Sequence, residues 1–310
     1  MKKIFIITSF LMIAMAGHAQ QDLMISQYMF NQLALNPGYA GSKDYMMATL
    51  LYRNQWTSYE GHGAPVTQLA TLHGPWRGKK FGWGATVTHD HIGITDRTDA
   101  FFDLAYHLRI SDKFKLGMGI RAGLSYFKSD FGDLIYWDKQ DPRYVGGSQT
   151  KLLPNTGAGF FLYSDKIYVG LSVPCTLSYD STEAISINEG SDAPHKVRHY
   201  YGTAGIAIPL TLDVVMKPSV LVKYVPDAPV EFDLNLHFLF ADMLWLGASY
   251  RTGDAVVAMV EFQLTRKLRI GYAYDYTLTD IKDYSAGSHE IMLGYDFGFD
   301  VTKIKTPRYF

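Results

Sequence analysis

The eleven residues from Val230 to Phe240, VEFDLNLHFLF, alternate without a break. Val230, Phe232, Leu234, Leu236, Phe238 and Phe240 share one parity, while Glu231, Asp233, Asn235 and His237 share the other. Side chains of a strand alternate between its two faces, so one face here is wholly apolar and the other carries charge. A buried, unpaired carboxylate costs several kcal/mol, so the charged face cannot rest on a dry core and needs water or a polar filler. The length also suits a tilted membrane-crossing strand of ~9–11 residues. The stretch reads as one stave of a transmembrane β-barrel.

The same pattern recurs. Fourteen runs stand out: Met46–Arg53, Pro65–His73, Phe81–His89, Asp99–Arg109, Phe114–Tyr126, Thr156–Tyr163, Ile167–Cys175, His199–Ile208, Val214–Tyr224, Val230–Phe240, Met243–Arg251, Ala255–Leu264, Leu268–Leu278 and Ser288–Phe297. An even number is what single-chain bacterial barrels use. Charge sorts with parity in each clear case. Lys115 and Arg121 oppose the apolar set Phe114 to Tyr126; Arg269 and Asp275 oppose Leu268 to Leu278; Asp103, His107 and Arg109 oppose Phe102 to Leu108. An Arg or Lys at the lipid midplane costs about 2–4 kcal/mol, so an exterior facing hydrocarbon explains the sorting, whereas a soluble barrel would reverse it. Arg121, Glu231, Asp233, Arg269 and Asp275 are therefore expected to face the lumen. A barrel this wide is not filled by its own side chains, so a channel or a plug follows.

Met1-Lys2-Lys3, the apolar run Ile4 to Met15 and the small residues Gly17 and Ala19 read as a secretory signal over residues 1–19. No Cys follows the run, which argues against a lipid anchor. Residues 20–45 alternate poorly and carry turn chemistry at Asn36-Pro37-Gly38. They are expected to form a plug or periplasmic piece, with a short helix over Ser26–Leu35. The barrel should occupy residues 46–298, and 299–310 a periplasmic tail. Ser111–Lys113, Ser164–Lys166, Ala241–Asp242 and Thr265–Lys267 are tight and follow even-numbered strands; Asn54–Ala64, Asp90–Thr98, Phe127–Asn155 and Thr176–Arg198 are long and fall at the other end. Short turns belong to the periplasm and long loops to the outside.

Several function classes lose support. With formal charge -1 and no basic stripe, a nucleic-acid partner is not expected. Cys175 is the single cysteine, so no internal disulfide is possible. His89 and His91 point to one side of a strand, but two histidines without a third ligand fit a polar strand end better than zinc. Asp133, Asp138 and Asp141 lack the spacing of a calcium loop of the EF-hand type. No nucleophile elbow, metalloprotease or phosphate-loop motif occurs, so neither an enzyme nor a cofactor is expected.

Further stretches carry a resemblance. SQYMFNQLALNPGYAGS from Ser26 to Ser42, YRNQW from Tyr52 to Trp56 and GAPVTQ from Gly63 to Gln68 resemble blocks of the PorP/SprF family, outer-membrane proteins of type IX secretion in Bacteroidota. So do LPNTGAGFFLYSDKIYVGLSVP from Leu153 to Pro174, HYYGTAG from His199 to Gly205, GYAYDYTLTDI from Gly271 to Ile281 and the terminal PRYF. Gln32 and Gly38 depart from the family pattern, which has Pro and Ala there. The resemblance implies an all-β, fourteen-stranded antiparallel barrel similar to the fatty-acid-transporter type, set in outer-membrane lipid. It also implies a role in exporting or anchoring secreted cell-surface proteins such as adhesins, sometimes with gliding motility. The expected partners are a secreted protein with a type IX C-terminal sorting domain and other secretion subunits. Their binding surface is expected on Tyr28, Phe30, Asn36, Pro37 and Tyr39, or on Trp137, Asp141 and Arg143 in the longest outer loop. An outer-membrane channel for small hydrophobic molecules and, more remotely, a rim-site hydrolase are the alternatives.

Overall fold

The computed structural model describes residues 24–59, 63–76, 80–130, 148–177, 198–226 and 228–298. Fourteen strands follow one another: β1 (Met46–Asn54), β2 (Val66–Pro75), β3 (Phe81–Ile92), β4 (Thr95–Arg109), β5 (Lys115–Asp130), β6 (Ser148–Tyr163), β7 (Ile167–Val173), β8 (Tyr200–Ile206, resuming at Ile208–Pro209), β9 (Val214–Tyr224), β10 (Glu231–Phe240), β11 (Leu244–Arg251), β12 (Ala255–Gln263), β13 (Leu268–Thr277) and β14 (Ser288–Phe297). Each pairs antiparallel with the next, and β14 pairs with β1 from Met46↔Phe297 to Asn54↔His289, closing the barrel. Closure leaves no open edge, the condition for a sheet to cross a bilayer. β8 breaks at Ala207, beside Pro218 of β9, whose nitrogen has no hydrogen to donate. Its register is the same on both sides of the break, Ser219↔Gly205 above and Met216↔Ile208 below.

The alternation fixes which face meets lipid. On β10, Leu234 is 53% exposed and its neighbour Asp233 3%; on β5, Ile120 is 64% exposed and Arg121 3%. From β7 through β14, and on β1 and β2, no outward position is Asp, Glu, Lys or Arg. Aromatic residues ring both ends: Tyr52, Tyr126, Tyr200, Tyr224, Tyr250 and Tyr276 are exposed near the long-loop rim, and Trp76, Phe81, Phe160, Phe262 and Phe297 near the short-turn rim. Such girdles sit at the two membrane interfaces.

The connections 76–80, 110–114, 164–166, 210–213, 241–243 and 264–267 are short and share one end. The other end joins its strands through 55–65, 93–94, 131–147, 174–199, 225–230, 252–254 and 278–287; four of these are long, so this end is the outer one. Two expectations about this rim need correction. The segment Asp90–Thr98 is not a long loop: β3 runs to Ile92, β4 starts at Thr95, and Gly93 supplies the left-handed turn residue at φ 61. Likewise Phe127–Asn155 is not loop throughout: β5 continues to Asp130 and β6 already runs from Ser148, with 131–147 outside the described residues. Above the lipid band the apolar alternation lapses, but backbone pairing continues with polar cross-strand contacts such as His89 Nδ1 to Thr98 Oγ1 at 2.9 Å. The expected signal over 1–19 and the tail over 299–310 lie outside the described residues.

Leu236 stands at mid-height on β10 and faces outward. Replacing it with Arg is expected to lower stability by about 2–4 kcal/mol in urea titrations of vesicle-folded protein, with Leu236→Ala affected far less. Equal stability of Leu236→Arg and the parent would contradict a lipid-facing waist.

Candidate functional site

The charged inner face is not left to water. The chain from Ile25 to Lys43 is buried throughout, inside the barrel. The single short helix expected over Ser26–Leu35 is not formed. Instead there are three separate 3-10 turns, Tyr28–Phe30, Gln32–Ala34 and Pro37–Tyr39, the last capped by the Asn36 side chain, which accepts from the Gly38 N–H at 2.8 Å. A continuous helix would bond its backbone to itself, whereas here several backbone groups bond to the wall.

The outer anchor centres on Arg53. Its guanidinium donates to Asp275 at 2.7 Å, to Glu290 at 3.2 Å and to the Ser26 hydroxyl at 3.0 Å. Ser26 in turn donates its hydroxyl to Asp275 at 2.7 Å, and the backbone N–H groups of Ser26 and Gln27 each donate to one Glu290 oxygen at 2.8 Å. Arg251 extends the cluster, donating to Asp233 at 3.0 Å and lying 3.6 Å from Asp275 and 3.7 Å from Glu231. Just below, Asn235 donates to the Tyr28 hydroxyl at 2.5 Å. Cations and anions alternate along the chain Glu290–Arg53–Asp275–Arg251–Asp233, so the desolvated charges are paired.

Apolar packing and π contacts hold the middle. Ile25, Tyr28, Met29, Phe30, Ala34 and Leu35 pack against wall residues that include Leu51, Leu69, Val257, Met259 and Met292. The Lys217 ammonium lies 5.7 Å from the Phe30 ring centroid and 5.5 Å from that of Trp245. Both are within cation–π range.

Further down, wall and segment exchange more hydrogen bonds, most of them to the segment's carbonyl groups. Arg121, paired with Asp103 at 2.6 Å, donates to Leu33 O at 2.6 Å and Ala34 O at 3.1 Å. The Ser172 hydroxyl donates to Leu35 O at 2.7 Å, Asn36 Nδ2 to Phe160 O at 2.9 Å, and His107 Nε2 to Ala40 O at 2.8 Å. Between these bonds the backbone at Pro37 and Gly38 lies directly on β5 and β6. A Cβ on Gly119 would fall under 3.0 Å from Gly38 N, one on Gly117 under 3.0 Å from Gly38 O, and one on Gly159 under 3.0 Å from the Asn36 side chain. These glycines are required by the close approach of two backbones.

The residues expected at a site are thus distributed. Arg121, Asp233, Arg269 and Asp275 are buried or nearly so on the inner face, and Glu231 lies nearer the outer rim with its side chain 21% exposed. Tyr28, Phe30, Asn36, Pro37 and Tyr39 are all buried within the lumenal segment. Trp137, Asp141 and Arg143, with Asp133 and Asp138, lie outside the described residues. His91 Nδ1 meets Asp96 at 2.7 Å on the exposed β3–β4 hairpin, while Asp90 turns the other way and accepts from Thr67 at 2.6 Å. Among the described residues no group of three or more His, Cys, Asp or Glu is arranged to hold a metal. Sequence reasoning missed the anchoring roles of Arg53 and Glu290 and the glycine seat. The run of small residues on the charged parity of β5 was the available signal for the seat.

A closed antiparallel barrel, apolar outside and charged within, defines an outer-membrane β-barrel protein. The family model for the type IX secretion system membrane protein PorP/SprF matches residues 17–295, and the chain belongs to that family. It is accordingly an outer-membrane protein of type IX secretion, and its family and fold are those of secretion or transport components rather than enzymes. No curated protein matches the chain. Among solved structures it is similar to the CymD monoaromatic hydrocarbon channel, at 12% identity and TM-score 0.48 over 91% of this chain and 96% of that one. It is also similar to the Pseudomonas putida toluene transporter TodX (10%, TM-score 0.47, 86% and 94%) and to a Pseudomonas aeruginosa FadL homologue (12%, TM-score 0.46, 92% and 96%).

Arg53→Leu leaves Glu290 and Asp275 short of their shared cation and is expected to cost about 3–5 kcal/mol. Limited proteolysis of the detergent-folded variant should cut within residues 24–45 faster than the parent. Unchanged resistance there would show that Arg53 is not the anchor.

Proposed function

We propose that this protein binds a secreted surface protein carrying a type IX C-terminal sorting domain at its outer end. It holds that protein at the cell surface, in contact with other subunits of the secretion machinery. The observation that carries this reading, beside family membership, is the occupied lumen. Residues 25–43 are buried and bonded to the wall at both the outer and the inner end, so in this state they act as a plug and the barrel serves as a scaffold rather than an open conduit. A scaffold works through the surface it presents. On the outer side we assign that surface to the β3–β4 hairpin, the outer ends of β5 and β6 and the connections 131–147 and 174–199, the first of which carries Trp137, Asp141 and Arg143 in sequence. The buried plug residues Tyr28, Phe30, Asn36, Pro37 and Tyr39 contribute by filling the barrel beneath it. Surface adhesins, including those used in gliding motility, are the cargo that the family role favours.

Affinity isolation of the tagged protein from detergent-solubilised outer membranes is expected to recover a secreted protein with a sorting domain, together with secretion subunits. Recovery of neither, under conditions that keep known outer-membrane complexes intact, would overturn the proposal. Liposomes holding the protein should pass small apolar solutes no faster than empty ones; rapid flux would favour a channel instead.

A further inference from the structure

The lumenal segment has a direction. Ser26 and Gln27 bond to Arg53, Asp275 and Glu290, each within two residues of a strand end on the long-loop side. At the rise of ~3.3 Å per residue in a strand, these contacts lie within roughly 7 Å of the outer rim. Further along, Ala40 accepts from His107, two residues from the inner end of β4, and Gly41 lies against Gly74 and Gly82 at the inner ends of β2 and β3. The chain then enters β1 at Met46, on that same inner side. It therefore descends the lumen once, from outer mouth to inner mouth. The way down from Ile25 is taken by its own continuation and by the wall residues packed on it. Exposure changes in the matching place: Ile25 is 4% exposed, whereas Met24 is only partly buried.

We propose that the amino-terminal side of the lumenal segment faces the cell surface at the outer mouth of the barrel, so that Met24 and the chain leading into it are reached from outside. A polypeptide held by Glu290 and Asp275 at its outer end and by the glycine seat at its inner end has its amino-terminal side on the outer face. The buried remainder is closed from that side. This inference rests on the direction of the segment and not on the identity of the cargo, so it stands or falls separately from the proposed function.

The test is cysteine labelling of whole cells in a Cys175→Ser background, with a maleimide that cannot cross the outer membrane. Met24→Cys and, two residues earlier in sequence, Asp22→Cys are the reporters. Tyr284→Cys, at a position 70% exposed on the outer side, is the external control, and Asp112→Cys, on a short turn with its side chain 96% exposed, is the internal one. Only protein that migrates as folded barrel is scored, and either reporter suffices if the other fails to assemble. Labelling of a reporter in intact cells to the level of Tyr284→Cys, with Asp112→Cys reacting only after permeabilisation, is the expected result. Reporters that react only with Asp112→Cys after permeabilisation, or only after unfolding, would overturn the proposal. Labelling of Asp112→Cys in intact cells would overturn it as well, by reversing the barrel.

Discussion

A charged group that faces hydrocarbon has no partner to offset its lost hydration, and the arrangement of this molecule follows from avoiding that state. Every strand from β7 to β14 keeps its ionised side chains on the inner face, where acids and bases meet across neighbouring strands. The exterior is then free to be Leu, Ile, Val, Phe and Tyr. Pairing alone would not settle the inner face, because guanidinium and carboxylate groups carry more hydrogen-bonding capacity than their ion pairs use. The lumenal segment takes up part of the remainder: Glu290 accepts from two of its backbone N–H groups, and Arg121 donates to two of its carbonyl groups.

The membrane-embedded part was legible in the sequence for the same reason. Lipid on one side and paired charge on the other impose a period of two, and that period located the fourteen strands and, where the parity was clear, the face turned to lipid. Where lipid ends, the signal ends. His89, Asp90 and His91 break the apolar alternation, so the reading stopped at His89, yet the backbone ladder continues to Ile92 because strand pairing does not require an apolar face. Residues 24–45 show the opposite limit. Their shape is set by atoms more than a hundred residues away, such as Phe160 O and Glu290 Oε1, and no local pattern encodes such partners. Gly117, Gly119 and Gly159 could be seen as small residues on the inner parity, but what they make room for became visible only with the segment in place.

The two ends of the segment are held by different chemistry. At the outer end charged side chains reach in to bond Ser26 and Gln27, while at the inner end backbone rests on backbone across the glycine seat, beside the His107 bond to Ala40 O. Ion pairs depend on geometry and on water being kept out, and close van der Waals contact depends on shape. The outer anchor therefore rests on its burial: the Arg53, Asp275 and Glu290 side chains are each 2% exposed or less, which shields them from salt.

Arg53 and Glu290 are directly opposed residues of β1 and β14, the pair of strands that turns an open sheet into a cylinder. The bond that secures the lumenal segment is thus made across the last joint of the wall. Zipping up the cylinder and capturing its filler become one cooperative event: neither carboxylate nor guanidinium is in place for Ser26 until the first and last strands meet. Any force that parted this joint would undo the outer anchor with it, while Arg121, Ser172 and His107 would still hold the segment to other strands, so the seam and the outer hold on the filler share one latch.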